Sequence, residues 1–182
     1  MKYIALLRGI NVGGKNKVDM SQLTAAMIRA SFDEVSTYIN SGNVFFSAND
    51  TETKLNQKLE QLINREFGLK IKVLIRNKDN IHALTSSIPE EWTNDSGMKC
   101  DVMFLSGMYN NESILEHITV KPGIDEVKYV QGALVWKVDR NNITKSGMMK
   151  IIGTDLYRNM TVRNCNTVRK IEERLIVENS IT

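Results

Sequence analysis

The second half of this 182-residue chain is a diverged copy of the first. The segment Leu74–Asn77 recurs 87 residues later as Thr161–Asn164, and in both copies a strand-like run ends in Arg-Asn. In each copy the Asn is well placed to cap a following helix. The run Val35–Phe46 has a counterpart, with a shorter turn, in Val127–Trp136. A chain that repeats one set of elements in one order is expected to fold as two similar halves.

Hydrophobic periodicity gives each half the order β-α-β-β-α-β, the split unit of ferredoxin-like folds. In the first half, strands are predicted at 3–7, 35–40, 43–47 and 69–75, with helices capped by Asp19 and near Asp50 or Thr51. In the second half, strands are predicted at 101–105, 127–130, 134–136 and 161–164, with short helices at 111–117 and roughly 144–152. We therefore predict an α+β protein with a duplicated ferredoxin-like fold, antiparallel sheets and a C-terminal helix. The predicted boundaries are 1–86 for half 1, 87–98 for a junction, and 99–182 for half 2 with the C-terminal helix.

The composition is that of a soluble globular protein, because 42% of the residues are hydrophobic and 25% are charged, which excludes disordered and fibrous classes. The first apolar run, Tyr3–Leu7, is far shorter than the ~18 residues of a membrane span. Cys100 and Cys165 form no CxxC motif, which suits a reducing compartment. We therefore expect a cytoplasmic protein that does not associate with a membrane.

The net charge of +3 is unevenly distributed along the chain. Residues 1–19 carry four basic and one acidic side chain, and residues 140–174 carry eight basic and three acidic ones. These two segments therefore hold a net +8, and the rest of the chain holds −5. If the fold brings them together, their field would attract phosphate or nucleic acid. The alternative is that these cations are scattered and solvated.

The loop after the first strand, Arg8–Lys17, contains three glycines and three basic side chains and no acidic group. Because glycine readily adopts positive φ, backbone N–H groups in such a loop can converge on an anion. The run from Gly9 to Asn16 reads GxxxxGKN and lacks the Ser or Thr that binds magnesium in a phosphate loop, so we reject a nucleotide triphosphatase. The glycines could equally serve only a tight connection over the sheet edge. The candidate ligand-binding residues of this loop are Arg8, Gly13, Gly14, Lys15 and Lys17.

The segment Tyr38–Phe46 has a dense polar centre of Asn, Ser and Gly residues. These residue types are typical of a short hairpin turn, and we favour that interpretation over a binding site. We also expect the first and third strands of this split unit to run parallel, which places the turn at the opposite end of the sheet from the glycine loop.

The most basic part of the chain runs from Lys145 to Arg174. We predict that Asn164 caps a helix with a buried stripe and a solvent-facing basic side. The stripe is Cys165, Val168, Ile171 and Leu175, and the solvent-facing residues are Arg163, Thr167, Lys170 and Arg174. Cations near a helix N-terminus oppose the macrodipole, and a bound anion would reverse that cost. The candidate ligand-binding residues here are Arg158, Arg163 and Asn164.

Three stretches together resemble the DUF1697 family of small, mostly bacterial proteins: Tyr3–Lys15, Tyr38–Phe46 and Met160–Val168. The resemblance extends over nearly the whole chain and implies two ferredoxin-like halves. It implies no activity, because the family is named for its unknown function. One departure is Cys165, where the family pattern usually has Trp.

The sequence contains no catalytic constellation. His82 and His117 lie far apart, and neither is near a Cys or a carboxylate in motif spacing, so we expect no metal site and no cofactor. Our working hypothesis is a protein that binds a phosphate-bearing ligand or nucleic acid through the candidate residues named above. The alternatives are a small-molecule enzyme with a pocket between the two halves, and a self-assembling structural or interaction module that forms a homo-oligomer.

Overall fold

The structure is a computed structural model of the chain, and it describes residues 1–177. The described residues form eight strands: β1 (Lys2–Leu7), β2 (Asp33–Tyr38), β3 (Asn43–Ser47), β4 (Val73–Asn77), β5 (Met98–Leu105), β6 (Asp125–Val130), β7 (Ala133–Asp139) and β8 (Met160–Asn164). The α-helices of the described residues are α1 (Met20–Arg29), α2 (Glu52–Phe67), α3 (Lys78–Ser86), α4 (Asp155–Arg158) and α5 (Cys165–Val177).

The strands form two four-stranded sheets with the orders β2-β3-β1-β4 and β6-β7-β5-β8. The strand pairs in both sheets are antiparallel. Each strand of the second sheet has the same position as its counterpart in the first sheet. Both sheets have the strand order of a ferredoxin-like fold. The predicted duplicated ferredoxin-like α+β fold is therefore confirmed.

Two compact units divide the chain, one of residues 1–79 with the end of α5 from Glu173, and one of residues 80–172. We refer to them as unit 1 and unit 2. Their limits follow packing within the fold, whereas the sequence-based boundaries at 86 and 99 follow the repeat.

In unit 1, α1 and α2 cover one face of the sheet. The N-cap Asp19 of α1 accepts hydrogen bonds from the N–H groups of Ser21 and Gln22, both at 2.9 Å, as the capping signal predicts. Thr51 caps α2, and Gly68 ends it in a left-handed conformation. The core between sheet and helices includes Tyr3, Ala5, Leu7, Leu23, Met27, Val44, Phe46, Leu59, Ile63 and Ile75.

In unit 2, short 3₁₀ segments largely replace the helices that the sequence predicts. The helix predicted at 111–117 is a 3₁₀ helix, Glu112–His117, and the one predicted near 144–152 is two, Arg140–Lys145 and Met148–Ile151. The interruption between the last two has a physical cause at Asp125, whose carboxylate accepts the Ser146 hydroxyl and the Gly147 N–H. Because these bonds draw the chain onto β6, a continuous α-helix cannot form there.

Helix α5 has the predicted cap and the predicted stripe. The Asn164 side chain accepts the Thr167 N–H at 2.8 Å, and all four stripe residues are buried. The predicted solvent-facing side is wrong for two of its members. Arg163 is only 9% exposed, and Arg174 lies with its guanidinium carbon 4.7 Å from the centre of the Tyr38 ring. Arg174 also donates to the Thr37 carbonyl at 3.2 Å, so its charge is used within unit 1.

Candidate functional site

The glycine loop folds as a small β-hairpin that closes on Gly13 and Gly14. The Lys15 N–H donates to the Val12 carbonyl at 3.1 Å, and the Asn11 N–H donates to the Asn16 carbonyl at 3.2 Å. Gly13 and Gly14 have φ of +58° and +75°. Positive φ at both central positions is the pattern of a type I′ turn, which explains the glycine pair without reference to a ligand.

The hairpin tip is nevertheless open to solvent and positively charged. Residues 12–17 are all exposed. Within the described chain, no carboxylate pairs with Lys15 or Lys17, and no acceptor takes the N–H of Gly13 or Gly14. The tip therefore presents two ammonium groups and two backbone donors to the solvent side.

Asn11 fixes the base of this hairpin. Its Oδ1 accepts the Val18 N–H at 2.9 Å, and its Nδ2 donates to the Val18 carbonyl and to the Asn40 carbonyl, both at 3.0 Å. Asn16 adds a bond from Nδ2 to the Gly9 carbonyl at 3.0 Å. Both asparagines have positive φ, which Asn tolerates better than most residues. Asn11 was not among the predicted site residues, although an Asn shortly before a glycine pair was a signal present in the sequence.

The polar turn between β2 and β3 lies beside the glycine hairpin, at the same end of the sheet. The expectation of opposite ends was wrong, because β1 pairs antiparallel with β3, with Leu6 opposite Asn43. The start of β3 therefore adjoins the end of β1. The Leu7 N–H donates to the Gly42 carbonyl at 2.8 Å, and the Asn11 bond to Asn40 joins the two segments.

The turn also contributes exposed residues to this end of unit 1. Ile39 is 49% exposed and has φ of +50°, an unfavourable conformation for a β-branched residue. Asn40 is exposed, whereas Asn43 is buried and donates to the Tyr38 carbonyl at 3.0 Å. We define the hairpin surface as residues 8–17 together with residues 39–42.

Three predicted residues belong to unit 2, and their environments differ. Arg158, at the end of α4, is exposed, and its Nη1 donates to the Gly153 carbonyl at 2.9 Å. Arg163 donates through Nη1 to the Val162 carbonyl at 2.8 Å, and burial lowers its pKa to about 10, so it stays charged at neutral pH. Asn164 is the cap of α5. All three residues have local partners, since the Arg158 Nε also pairs with the Asp155 Oδ1 at 3.7 Å, and Arg158 is the one of the three that is exposed.

Arg163 has a counterpart in the first copy, as the repeat predicts. Arg76 donates through Nη1 to the Ile75 carbonyl at 2.8 Å, and burial is the main cause of its lowered pKa. Each arginine thus bonds to the carbonyl of the residue before it, at the end of the last strand of its sheet. This equivalence indicates a structural role for the Arg-Asn pair.

A cavity of about 280 Å³ lies in unit 2. Its polar lining includes Tyr109, whose hydroxyl donates to Asp155 at 2.5 Å. That hydrogen bond is the main reason why the pKa of Tyr109 is raised. Since a raised pKa keeps the phenol protonated, Tyr109 is not prepared to act as a base. The remaining lining residues are Ile114, His117, Thr119, Lys150, Ile151, Thr154 and Leu156.

Within residues 1–177, no cluster of three His, Cys, Asp or Glu side chains could hold a metal ion. Nor is any helix of that part of the chain both long and apolar enough to cross a membrane.

The fold thus defines an α+β protein built from two ferredoxin-like sheets. The sequence model of DUF1697, a protein family of unknown function, matches residues 1–136, and the chain belongs to this family. No curated protein matches the chain. A solved structure that it resembles is a conserved bacterial protein from Streptococcus pneumoniae, with 27% sequence identity and a TM-score of 0.81. The alignment covers 96% of this chain and 98% of the other.

Proposed function

We propose that this protein binds the phosphate backbone of a nucleic acid through the hairpin surface. The observation that carries the proposal is the exposed tip, where the N–H groups of Gly13 and Gly14 lie beside Lys15 and Lys17 on a hairpin fixed at its base. Backbone donors give direction to a phosphate contact, and ammonium groups supply most of its attraction. A cytoplasmic location is part of the same proposal.

The shape of the surface supports a polymer over a small nucleotide. Small-ligand sites are concave and enclose most of the ligand, whereas residues 12–17 are exposed without interruption. A projecting hairpin can contact an extended backbone from outside. The exposed apolar side chains Val12 (65% exposed) and Ile39 (49% exposed) belong to the same surface and would contact sugars or unpaired bases.

The unit 2 residues have different parts in this proposal. Arg158 is exposed, and its part in ligand binding stays a prediction from the sequence. Arg163 and Asn164 contribute indirectly, because each already bonds within its own strand or helix and so maintains β8 and α5.

The test is equilibrium binding of labelled RNA, single-stranded DNA and duplex DNA to the full-length protein at several salt concentrations. We expect the double variant Lys15→Ala, Lys17→Ala to bind about tenfold more weakly at low salt and its slope of log affinity against log salt to be smaller by about 1.5–2. The matched control is Lys54→Ala, Lys58→Ala, which removes two cations from α2 of the same unit. Lys54 lies near Thr51 and hence at the end of the sheet away from the hairpin.

Two results would contradict the proposal. One is the absence of binding to all three nucleic acids at low salt. The other is an equal loss of affinity in the α2 control, since that would show attraction to net charge alone and no role for the hairpin.

A further inference from the structure

Of the two cysteines of unit 2, Cys100 lies in β5 and Cys165 directly follows the end of the neighbouring strand β8. In the pairing of β5 with β8, Asp101 lies opposite Asn164; Cys100 precedes Asp101 and Cys165 follows Asn164, so the two cysteines are neighbours just beyond this last pair. Facing residues of antiparallel strands have Cα atoms about 4.5–5.5 Å apart. This separation is within the roughly 4.4–6.8 Å range of disulfide bonds. Each thiol also shifts the pKa of the other, so the two side chains lie close together.

The two sulfur atoms differ in their electrostatic environment. Cys165 is the first residue of α5, and its pKa is lowered by the hydrogen bond from Cys100 and, next among the causes that lower it, by the charge of Arg169. The Arg169 Nη1 lies 3.9 Å from the Cys165 Sγ. The pKa of Cys100 is raised by the same hydrogen bond and by burial. Cys165 is therefore the thiol of the pair that ionises more readily, and Cys100 is the neighbour that retains its proton.

We propose that Cys100 and Cys165 form a reversible intramolecular disulfide when the protein reacts with a peroxide. The Cys165 thiolate attacks one oxygen of hydrogen peroxide, the O–O bond breaks, and hydroxide leaves and takes up a proton as water. The Cys100 sulfur then attacks the resulting sulfenic acid, loses its proton, and displaces the second oxygen as water. Two thiols are oxidised by two electrons, and the peroxide is reduced to two waters.

Access to the pair is controlled by the segment before β5. The Cys165 thiol donates to the Trp92 carbonyl oxygen at 3.5 Å, and both cysteines are buried. Side chains of α5 hold this segment: Arg169 bonds to the Trp92 carbonyl at 2.8 Å, and Asn166 bonds to the Asn94 carbonyl at 2.9 Å. A peroxide is small enough to reach the sulfur atoms when these contacts open, whereas a bulky disulfide such as oxidised glutathione needs a wider opening.

The test is treatment of the full-length protein with hydrogen peroxide, followed by alkylation in denaturant and mass spectrometry. We expect a mass loss of about 2 Da, corresponding to the two hydrogens removed, with neither cysteine alkylated and the two cysteine peptides cross-linked to each other. Dithiothreitol should restore two alkylatable thiols. With Cys100→Ser, the expected product is a sulfenic acid at Cys165 that dimedone traps.

Three outcomes would overturn the proposal: both thiols remaining alkylatable after peroxide, a disulfide between two chains, or sulfinic acid at Cys165 without a cross-link. The wild-type peptide map decides between these results by itself, so the conclusion does not depend on whether a cysteine variant folds. Oxidation of the protein unfolded in denaturant is the control, because there the fold no longer holds Cys100 beside Cys165.

Discussion

Gly42 shows how one residue without a side chain allows the polar turn to pack against β1. Its carbonyl accepts the Leu7 N–H, and its φ is +80°. A Cβ atom at this position would lie 2.7 Å from the Leu7 Cβ and 2.9 Å from the Ile10 Cδ1. The residue therefore has both a conformational and a steric reason to be glycine, and the second reason distinguishes it from the exposed glycines.

We expect Gly42→Ala to lower the free energy of unfolding by about 2–4 kcal/mol, from left-handed strain together with overpacking. The control is Gly68→Ala, since Gly68 has a similar φ of +67° but open space around it, and only the strain of about 1–2 kcal/mol applies. Urea unfolding of both variants measures the difference. Equal losses would show that the contact with Leu7 and Ile10 contributes nothing.

Asp125 is a buried carboxylate whose oxygens accept hydrogen bonds from protein groups in place of water. Its oxygens accept from Trp136 Nε1 at 3.1 Å, from the Gly147 N–H at 2.9 Å and from the Lys121 N–H at 3.0 Å, and also from the Ser146 hydroxyl. Burial alone would raise the pKa of Asp125, but these hydrogen bonds outweigh it and leave the pKa below its usual value. The ionised form is therefore the one that stabilises unit 2.

For Asp125→Asn we expect a loss of about 2–3 kcal/mol at neutral pH, because an amide NH₂ cannot accept these donors. Since the folded pKa is lowered, the wild-type advantage is present above the unfolded value of about 3.9 and disappears as the pH falls through the folded pKa. Unfolding measured between neutral and strongly acidic pH checks this. The exposed Asp139→Asn on β7 is the control, and a wild-type advantage that stays constant on acidification would refute the argument.

Helix α5 illustrates an element whose start is determined by one side chain. Asn164 accepts the Thr167 N–H, and the helix then buries Cys165, Val168, Ile171 and Leu175 along one stripe. The spacing of these apolar residues and the Asn before them were both readable from the sequence. The orientation of Arg163 was not, because a charged residue at a strand end is usually exposed, whereas here it lies in β8 opposite the buried Val102.

We expect Asn164→Ala to lower the free energy of unfolding by about 1 kcal/mol, while Asn164→Asp keeps the acceptor and retains most of the stability. Neither change should alter nucleic-acid affinity if Asn164 acts only as a cap. Thermal unfolding and the binding assay, run on the same two variants, separate the roles. Because Asn164→Asp also adds a negative charge, the deciding result is Asn164→Ala, and a loss of affinity in that variant while it remains folded would indicate direct contact with the ligand.

For the molecule as a whole, the sequence predicted both sheets and the helices of unit 1, but not the 3₁₀ segments that stand in place of two predicted helices in unit 2. The strands alternate or form short apolar runs, and these patterns survive in both copies. Segments such as Glu112–His117 are too short for helical periodicity to distinguish 3₁₀ from α geometry, and the bonds of Asp125 that end one segment join residues far apart in sequence.

The candidate site was only partly predictable for a different reason. The glycine loop was identified, but the polar turn was placed at the wrong end of the sheet. The order β-α-β-β already determines the strand directions. The crossover through α1 makes β1 and β2 parallel, and the tight turn after β2 makes β3 antiparallel to both. Strand direction alone, correctly applied, therefore puts Asn40 next to the loop.

The difference between the two units leads to a prediction for hydrogen exchange of the intact protein. We expect amides of α1 and α2 to exchange more slowly than those of the 3₁₀ segments in unit 2, because 3₁₀ hydrogen bonds have poorer geometry and their segments are short. Amides of the central strands β1 and β5 should be among the slowest in both units. Mass spectrometry of peptic fragments measures this, and equal protection of α2 and Glu112–His117 would contradict it.

The short hairpin closed by Gly13 and Gly14 has a practical consequence for engineering. Asn11 and Asn16 hold its base, while a Cβ at either glycine would meet no neighbouring atom within 4 Å. An epitope or fluorescent-label sequence grafted between the two glycines would therefore be displayed on a short stalk, with the hydrophobic interior of its unit left intact.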